Sequence, residues 1–403
     1  MKKNSVLHVL YTYYPDVTGS TIRSEGILSG QLECGYNPIG VTSPFQKGIT
    51  SHDVECVGGI KIYRTYRQSS NFEISEKQSS IFTRIRKVLS LFYFSKKIEQ
   101  IAKENKVTVI HAHSTFFCAF SSYIASRKLK IPFIYEFRSI WEERFENGNL
   151  LSRLQVAAIK KLETLALKVA DGIVVINEGL KDEVINRGIC SSKIVVVPNA
   201  VSSHVLEQSY NFVNPVVIKK FGYIGNYSEI EGLDVLIDAF RKSFPIKKYP
   251  DKELKFYGRG PFGEKLDKLI ELSDDYRIRN YGSFGRDDIA IIYGSVDCIV
   301  NPRKKLKICD VVTPLKPLEA MAFRRLFIGS NCKGILEVCG SKENAKIFEA
   351  DDVESLAMNL REAVTENCND IVNNGASYAR NSRSWVSVSR LYNSIYNSAK
   401  KSH

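Results

Sequence analysis

The sequence lacks long hydrophobic runs and paired cysteines. No stretch of about 18 consecutive apolar residues occurs, so no segment is predicted to span a membrane. Nine cysteines are present, but there is no C-x-x-C pair and no histidine spacing suited to zinc, which argues against a zinc module and a disulfide framework. An odd number of scattered cysteines fits a reducing cytoplasm best.

The first residues do not have the features of a signal peptide. The segment MKKNSVLHVLYTYYPD has two lysines and a short apolar run, but His8 interrupts the run and no small-residue cleavage site follows. We therefore interpret it as a first strand.

Composition indicates a two-domain globular protein with a basic surface. The chain of 403 residues is long enough for two domains, and 44% hydrophobic with 25% charged residues is ordinary for a globular chain. The formal charge of +13 suits a polyanionic partner, either nucleic acid, an anionic membrane or phosphorylated substrates. The alternative is that the charge serves solubility alone.

The first half begins with a β-α-β unit. A strand over Val6–Tyr13 is followed by a loop, a helix with apolar residues at helical spacing, and a strand over Asn37–Thr42. This order predicts a doubly wound parallel sheet. Gly19, in the loop, would let backbone N–H groups approach a bound anion closely, although no G-x-G-x-x-G motif is present.

Residues 81–105 predict a basic amphipathic helix. Five basic residues alternate with aliphatic and aromatic ones, and the basic residues are Arg84, Arg86, Lys87, Lys96 and Lys97. This pattern is typical of an amphipathic helix that lies in the interface of a membrane. The alternative is a helix that packs on its own sheet with a solvated basic edge.

Polar residues end two further strands of the first half. HAHS follows a buried strand and contains His111 and His113, at the carboxyl end where open α/β sheets bind ligands. Another strand runs into YEFRSIWEERFE, and Arg138 beyond its end could bind a phosphate or pair with Glu136 or Glu142. We expect His113 to face a cleft and His111 to lie deeper, in a structural role.

The second half repeats this organisation, and residues 310–340 are its most informative part. They predict a loop, a helix that begins near Pro317, a strand over Leu326–Ser330 and a helix near Gly334. Lys316 lies beside the helix N-terminus, which suits a diphosphate. Glu319, a carboxylate in the first turn, suits a neutral hydroxyl such as that of a ribose.

Several segments resemble one enzyme family. TPLKPLEAMA followed by RRLFIGSNCKGILEV resembles the C-terminal signature of the retaining glycosyltransferases of family four, which have the GT-B fold. KIVVVPNAV resembles the family's I-P-N-G-V junction, with Ala200 in place of glycine. TIRSEGIL…GY…VTSP and YEFRSIWEERFE resemble more narrowly the members associated with exosortase and exopolysaccharide loci.

The resemblance implies an α/β GT-B architecture with two Rossmann-like doubly wound domains that face each other across a cleft. It divides the chain into an N-terminal acceptor-side domain (1–201), a linker (202–217), a nucleotide-sugar-binding domain (218–382) and a C-terminal helix (383–403) that returns to the first domain.

The resemblance also implies site residues. His113, which matches the family's H-x-H pattern, contacts the transferred sugar, and Lys316 and Glu319 act with it. Arg23 and Arg138 are candidate ligands of the acceptor or of a phosphate. The expected donor-binding residues are Gly19, Gly258, Arg259, Thr313, Pro314, Leu315, Lys316 and Glu319. No metal or other cofactor is expected, because no D-x-D is present and cations with helix N-termini can stabilise the leaving diphosphate.

Two departures from the family pattern concern the donor site. The loop that usually carries an arginine and a lysine reads GNYSEIEG, with Asn226 and Glu231 at those places. The usual pair of glutamates is incomplete, because Val311 lies where the first is expected; Asp310 could replace it. Lys316 and then Arg259 are the predicted compensating cations, and the basic residues Arg303 to Lys307 form either a phosphate cover or a solvated loop.

The sequence therefore predicts a hexosyl-type glycosyltransferase of bacterial surface polysaccharide biosynthesis. It would use a UDP- or GDP-sugar and a saccharide or lipid-linked acceptor, in the cytoplasm at the inner face of the plasma membrane. The alternatives are a GT-B nucleotide-sugar epimerase and a non-catalytic GT-B partner subunit. Nucleic-acid binding rests on charge alone and is not expected.

Overall fold

The chain folds into two compact units. The computed structural model describes residues 4–16, 18–46, 53–66, 81–140, 150–285 and 287–401. Unit 1 consists of residues 1–198 together with 385–403, and unit 2 consists of residues 199–384. Trp141 and Glu142, which were considered above, lie outside the described residues, as do the side chains of residues 81–88.

Unit 1 contains an eight-stranded sheet in the order β3-β4-β2-β1-β5-β6-β7-β8. All neighbouring pairs are parallel except β3 with β4. Every residue of β1, β5, β6 and β7 is buried, as expected where helices cover both faces. The strands are β1 (Ser5–Leu10), β2 (Asn37–Thr42), β3 (Val54–Val57), β4 (Ile60–Tyr63), β5 (Val109–His113), β6 (Phe133–Phe137), β7 (Gly172–Val175) and β8 (Ile194–Val196).

Five helices of unit 1 connect these strands. They are α1 (Gly19–Glu33), α2 (Ile81–Glu104), α3 (Phe116–Leu129), α4 (Leu150–Val169) and α5 (Glu178–Asn186). Side chains cap two of them in the expected way: Thr18 Oγ1 accepts from the backbone N–H of Thr21, and Asn177 Oδ1 accepts from that of Leu180.

Unit 2 contains a six-stranded sheet, parallel throughout, in the order β11-β10-β9-β12-β13-β14. Phe221 and Ile224 of one strand belong to two separate hydrophobic clusters. The strands are β9 (Lys220–Asn226), β10 (Glu253–Arg259), β11 (Ile278–Asn280), β12 (Cys298–Asn301), β13 (Leu326–Ser330) and β14 (Lys346–Phe348).

Nine helices lie in the described part of unit 2. They are α6 (Ser203–Gln208), α7 (Leu233–Ser243), α8 (Gly263–Ser273), α9 (Ile289–Gly294), α10 (Lys307–Val311), α11 (Lys316–Ala322), α12 (Lys333–Cys339), α13 (Val353–Thr365) and α14 (Asn369–Asn381). The predicted helix near Pro317, strand over Leu326–Ser330 and helix near Gly334 correspond to α11, β13 and α12. The α/β class predicted from the sequence is thus confirmed.

The C-terminal segment of unit 1 forms α15 (Trp385–Ser389) and α16 (Tyr392–Lys401). Helix α15 packs closely on α1 at two glycines. A Cβ atom at Gly26 would lie 1.9 Å from Nε1 of Trp385, and one at Gly30 would lie 2.5 Å from the Trp385 carbonyl oxygen. The spacing of four residues therefore gives α1 a side-chain-free face on which α15 packs.

Candidate functional site

Unit 2 brings several loops to the carboxyl edge of its parallel sheet. Four adjacent strands end there, β9 at Asn226, β10 at Arg259, β12 at Asn301 and β13 at Ser330. This is the edge at which open α/β sheets bind ligands. The predicted donor-binding residues of the second half all lie in β10, in α11 or in the loop before α11.

Arg259 is held between two glycines at this edge. Gly258 and Gly260 have φ of 153° and 157°. A Cβ atom at Gly258 would lie 1.8 Å from the Gly225 carbonyl oxygen, and one at Gly260 would lie 2.2 Å from that of Tyr227. The close approach of the two loops therefore requires glycine on both sides of Arg259. Arg259 itself is exposed, and in the described part of the chain its guanidinium has no hydrogen-bond or ion-pair partner.

Lys316 and Glu319 bind each other. Helix α11 begins at Lys316, whose Nζ lies 2.8 Å from Oε2 of Glu319. The same oxygen accepts a hydrogen bond of 3.1 Å from the Tyr293 hydroxyl. Burial, and then the Glu319 carboxylate, raise the pKa of Tyr293 well above its usual range, so this hydroxyl keeps its proton. Sequence reasoning gave the two charged residues separate ligands, whereas the structure pairs them.

The loop before α11 is fixed from within unit 2. Thr313 is buried, and Asn199 Nδ2 donates to its carbonyl oxygen at 3.0 Å and to its Oγ1 at 3.2 Å. Pro314 is buried as well, and Leu315 occupies the N-cap position without a side-chain cap. These residues therefore shape the backbone at the start of α11.

The unusual glutamate of the GNYSEIEG loop has a cationic partner. Glu231 Oε1 lies 2.9 Å from NH2 of Arg303, and NH1 of Arg303 donates to the Val312 carbonyl oxygen at 2.7 Å. Both side chains are 9% exposed. Burial disfavours the charge of Arg303, but Glu231 outweighs burial and raises the pKa of Arg303. Arg303 is therefore a buried ion-pair residue, neither part of a solvated loop nor free to cover phosphates.

Asp310 caps the start of helix α12. Its Oδ1 accepts a hydrogen bond of 2.8 Å from the backbone N–H of Lys333, the first residue of α12. This is the geometry of a side-chain cap, in which a carboxylate satisfies a free N–H and interacts with the helix dipole.

Unit 1 contains a cluster of three buried histidines. Strands β1 and β5 pair in parallel with His8 opposite His111, and His113 follows on the same side of β5. His8 Nδ1 lies 2.8 Å from His113 Nε2, and His8 Nε2 lies 3.0 Å from Oε1 of Gln31. His111 Nδ1 lies 2.8 Å from the Tyr396 hydroxyl, which accepts from Gln31 Nε2 at 2.9 Å.

The sequence led us to expect that His113 faces a cleft. In the structure it is instead enclosed. Its ring is 1% exposed, and its nitrogens contact His8 and Arg138. A contact with a sugar would require the ring to give up one of these two partners. Burial, followed by the neighbouring Arg138, holds the pKa of His113 well below its usual range. His111 is as deeply buried as His113, so depth does not separate the two.

Arg23 and Arg138 surround one buried carboxylate, that of Glu136. Oε1 of Glu136 lies 2.9 Å from Nε of Arg23 and 2.7 Å from Nε of Arg138, and Oε2 accepts from the Tyr392 hydroxyl at 2.8 Å. Burial would raise the pKa of Glu136, but Arg23 and then Arg138 outweigh it and hold the pKa well below its usual range. The carboxylate is therefore ionised.

The remaining donors of both arginines are also used inside unit 1. Arg23 donates to the Val197 and Pro198 carbonyl oxygens at 2.7 and 3.1 Å. NH1 of Arg138 donates to the carbonyl oxygen and hydroxyl of Ser20 and to the Ser24 hydroxyl, at 2.9 to 3.0 Å. The pairing of Arg138 with Glu136, one of the alternatives that the sequence left open, is therefore observed, and an acceptor or phosphate role for the two arginines stays a prediction.

Gly19 lies at the first residue of α1 and is exposed. A Cβ atom there would meet nothing within 4 Å. The structure thus leaves open space beside this backbone but shows no packing reason for glycine.

The three histidines form a hydrogen-bonded network rather than a good metal site. One nitrogen from each of His8, His111 and His113 lies within 4.8 Å of the others. Arg138 can only donate, so Nδ1 of His113 accepts and Nε2 keeps its proton. A protonated nitrogen cannot bind a metal, and zinc-bound histidines usually donate their other nitrogen to a carboxylate or carbonyl group instead.

Sequence reasoning missed His8, Gln31, Tyr392 and Tyr396 as members of this network. They lie on β1, α1 and α16, far apart along the chain, and only strand register and helix packing bring them together. The one available signal was His8 itself, a polar residue in an otherwise apolar strand.

Comparison with known proteins identifies the family. Residues 51–204 match the model described as Glycosyltransferase Family 4, and residues 218–366 match the model described as Glycosyl transferases group 1. An uncharacterized glycosyltransferase of Haemophilus influenzae is 25% identical over 274 residues, which cover 67% of this chain and 70% of that protein. One component of the human phosphatidylinositol N-acetylglucosaminyltransferase is 22% identical over 365 residues, 87% of this chain and 66% of that protein.

Solved structures share the fold over the whole chain. A glycosyltransferase from Rickettsia africae has a TM-score of 0.72 at 18% identity, with both chains covered completely. Anabaena HepE, solved in complex with UDP, has a TM-score of 0.70 at 16% identity and covers 98% of this chain and 100% of its own. Among the described residues no helix is both long and apolar enough to cross a bilayer. The chain therefore belongs to the glycosyltransferases of the GT-B fold, with a family 4 domain followed by a group 1 domain.

Proposed function

We propose that the protein transfers a hexosyl-type sugar from a nucleotide-sugar donor to a saccharide acceptor, with retention at the anomeric carbon. The observation that carries the proposal is the carboxyl edge of unit 2, where β10 ends at the exposed Arg259 and the connection between β12 and β13 contains a Lys–Glu pair at a helix start. Anabaena HepE, which has this fold, was solved with UDP and with UDP-glucose, which supports a UDP-sugar; a GDP-sugar is the second candidate.

Arg259 is the leading ligand of the donor diphosphate in this proposal. Its guanidinium is exposed, has no hydrogen-bond or ion-pair partner among the described residues, and offers a planar fork that matches two phosphate oxygens. The usual loop cations are replaced by Asn226 and Glu231, and the latter already binds Arg303. Compared with Arg303 and Lys316, Arg259 would therefore bind a diphosphate with the smallest loss of existing contacts.

In this proposal Lys316 also binds a phosphate, and Glu319 binds a ribose hydroxyl. Lys316 is 27% exposed and can turn to a phosphate, because an i,i+3 ion pair stabilises a helix by only about 0.2–0.5 kcal/mol. Oε1 of Glu319 has no hydrogen-bond partner in the described part of the chain, so it remains available for a ribose hydroxyl. Cationic side chains and the start of α11 would stabilise the leaving diphosphate without a metal ion.

We further propose that the acceptor is lipid-linked and that α2 contacts an anionic membrane at the inner face of the plasma membrane. Leu89, Phe92 and Tyr93 are exposed on this helix at 61%, 54% and 38%, beside the basic residues Lys96 and Lys97. Exposed aromatic and aliphatic side chains flanked by lysines favour an interfacial contact. The human relative is a component of a phosphatidylinositol N-acetylglucosaminyltransferase, and the lipid in that name supports a lipid-linked acceptor for the proposed role in bacterial exopolysaccharide synthesis.

A second candidate is a non-catalytic GT-B partner subunit. The Glu231–Arg303 pair favours it, because this pair places a carboxylate in a loop where the family usually carries cations. A GT-B nucleotide-sugar epimerase is the third candidate.

One experiment separates the three candidates. The protein is first tested by thermal shift with UDP-, GDP-, ADP- and CMP-sugars, because a ligand raises stability by RT ln(1 + [L]/Kd). The stabilising donor is then supplied with a labelled sugar and saccharide or lipid-linked acceptors. Transfer of label to an acceptor supports the proposal, and release of an epimerised sugar without transfer supports the epimerase. No stabilisation by any donor supports the non-catalytic candidate.

A further inference from the structure

The buried histidines, Gln31 and Tyr396 of unit 1 form a ring of contacts with Glu136 and Arg138. Around the ring the order is Arg138, His113, His8, Gln31, Tyr396, His111, Glu136 and back to Arg138. All of these contacts lie within unit 1, and the three imidazole rings are at most 1% exposed. The rings are therefore shielded from bulk water, and the protein neighbours named above determine where each proton lies.

The proton positions follow from Arg138 in one direction. A guanidinium has only donors, so Nδ1 of His113 accepts from it and the ring proton lies on Nε2. That proton points to Nδ1 of His8 at 2.8 Å, so His8 carries its own proton on Nε2. The next contact, 3.0 Å long, is then a donation from His8 to Oε1 of Gln31.

The same direction continues from Gln31 to His111 and ends at Glu136. Gln31 turns its amide nitrogen to the Tyr396 hydroxyl at 2.9 Å, and that hydroxyl donates to Nδ1 of His111 at 2.8 Å. The proton of His111 therefore lies on Nε2, which is 3.3 Å from Oε2 of Glu136, within ion-pair distance but without hydrogen-bond geometry. The ring closes on an ionised carboxylate that Arg138 itself binds, and no contact brings two donors or two acceptors together.

We infer that Arg138 is a positioning residue that fixes the proton of His113, and through it that of His8, on Nε2. His113 is then neutral and can offer a ligand only a donated hydrogen bond from Nε2, and its Nδ1 cannot act as a base while Arg138 holds it. The consequence for catalysis rests on the proposed function, but the proton positions do not. Burial, which lowers the pKa of all three histidines, supports the neutral state.

The native protein tests the inference directly. The chain has only six histidines, so a sample labelled with ¹⁵N in histidine gives a simple spectrum of ring nitrogens that can be assigned with single His→Gln variants. At pH 7 we expect His8, His111 and His113 to be neutral, each with its proton on Nε2. A proton on Nδ1 of His113, or a doubly protonated His113, would overturn the inference without any variant of Arg138.

Two substitutions of Arg138 and one control extend the test. Arg138→Lys keeps a group that only donates and should keep the native pattern, whereas Arg138→Gln can present either an oxygen or an NH₂ group. In Arg138→Gln a measurable fraction of His113 and His8 should therefore carry the proton on Nδ1. Tyr392→Phe removes a donor to Glu136 outside the ring and should leave His113 unchanged.

The outcomes keep this inference separate from the proposed function. An unchanged His113 pattern in folded Arg138→Gln would overturn the inference, whatever its activity. If the native protein transfers no sugar, the proposed function fails while the ring spectra still decide the proton positions. If the native protein does transfer sugar, Arg138→Gln should lower kcat about tenfold, the loss expected for roughly one hydrogen bond. The KM for the donor should change little.

Discussion

At the scale of single residues, charge pairing decides which cations of unit 2 are available to a ligand. Arg303 and Lys304 are bound to Glu231 and Asp234, and Lys316 is bound to Glu319. Arg259 is exposed at the end of a strand, with the two flanking glycines that its backbone requires. Basic residues that contribute equally to the net charge of the sequence therefore differ in whether they are available to bind a ligand in the folded protein.

Arg259→Ala should weaken binding of UDP or of the stabilising nucleotide by about 1.5–3 kcal/mol, the range for hydrogen bonds to charged groups. Isothermal titration calorimetry measures this loss. Arg279→Ala is a matched control, because Arg279 is an exposed arginine on edge strand β11 of the same unit and its removal changes the net charge equally. Equal affinities of the two variants would contradict the role of Arg259.

Glu319→Gln should affect two ligands in opposite ways. The variant loses the charged acceptor for a ribose hydroxyl, so a nucleotide sugar should bind more weakly. It also releases Lys316 from its carboxylate partner, so inorganic diphosphate should bind as tightly as before or more tightly. Competition binding with both ligands checks this, and a parallel loss for the two would refute the assignment of Glu319 to the ribose.

At the scale of elements, small residues on α1 determine how closely the C-terminal helix α15 can approach. Gly26 and Gly30 are one helical turn apart and both face α15, whereas Gly19 of the same helix faces open space. The sequence gives the glycines but not this difference, because the partner of α1 comes from the other end of the chain.

Gly26→Ala should destabilise the protein by about 1–3 kcal/mol, because the added methyl group would overlap the Trp385 ring. Gly19→Ala adds the same methyl group to the same helix without a contact, and should be neutral or stabilising by up to about 1 kcal/mol. Urea unfolding compares the two. A similar change in both would show that packing of α15 on α1 is not the cause.

Helix α2 should bind anionic vesicles through its basic and aromatic residues. The double substitution Lys96→Glu and Lys97→Glu should reduce co-sedimentation with anionic vesicles more than tenfold, since each basic residue near such a surface contributes about 1 kcal/mol. Lys247→Glu with Lys248→Glu in unit 2 makes the same change in net charge and serves as control. Binding that is indifferent to anionic lipid and to salt would exclude the electrostatic attraction.

At the scale of the whole molecule, buried ionisable groups should make stability depend on pH. Burial and the neighbouring His111 lower the pKa of His8 to about 3, and the pKa values of His111 and His113 are also lowered. Below pH 6.5 the unfolded chain binds protons at these positions and the folded chain does not. The unfolding free energy should therefore fall as pH decreases from 6.5 toward 3, by about 1.4 kcal/mol per pH unit for His8, and His111 and His113 add contributions of the same sign.

Denaturant unfolding between pH 7 and 5 measures this slope. The ionised Glu136, whose pKa is also lowered, acts in the same direction as the pH falls below its usual range. His8→Gln should reduce the slope of unfolding free energy against pH by about 1.4 kcal/mol per pH unit, the contribution of one proton, even if the variant is less stable overall. A flat profile in the native protein would mean that the histidines are protonated in the fold or accessible to water.

The sequence predicted the class of fold better than it predicted the contacts of the site. The run RRLFIGS gave strand β13 at its observed limits, because a short apolar run between turn signals has few alternatives. It did not predict that Lys316 binds Glu319, because each residue was assigned to a ligand rather than to its neighbour three positions away. The histidine ring required the register of β1 with β5 and the position of α16, which no local pattern specifies.

The composition of unit 1 from both ends of the chain has a consequence for its synthesis. Unit 2 is continuous, so all of its residues have been translated before the ribosome reaches Trp385. Tyr396, by contrast, is 365 positions from its partner Gln31, and Tyr392 is 256 positions from Glu136. Until Tyr392 and Tyr396 have been translated, Glu136 and the histidines of the nascent unit 1 lack the hydroxyl groups of α16. We therefore expect unit 1 to complete its core only after all of unit 2 has been translated, although most of unit 1 is translated first.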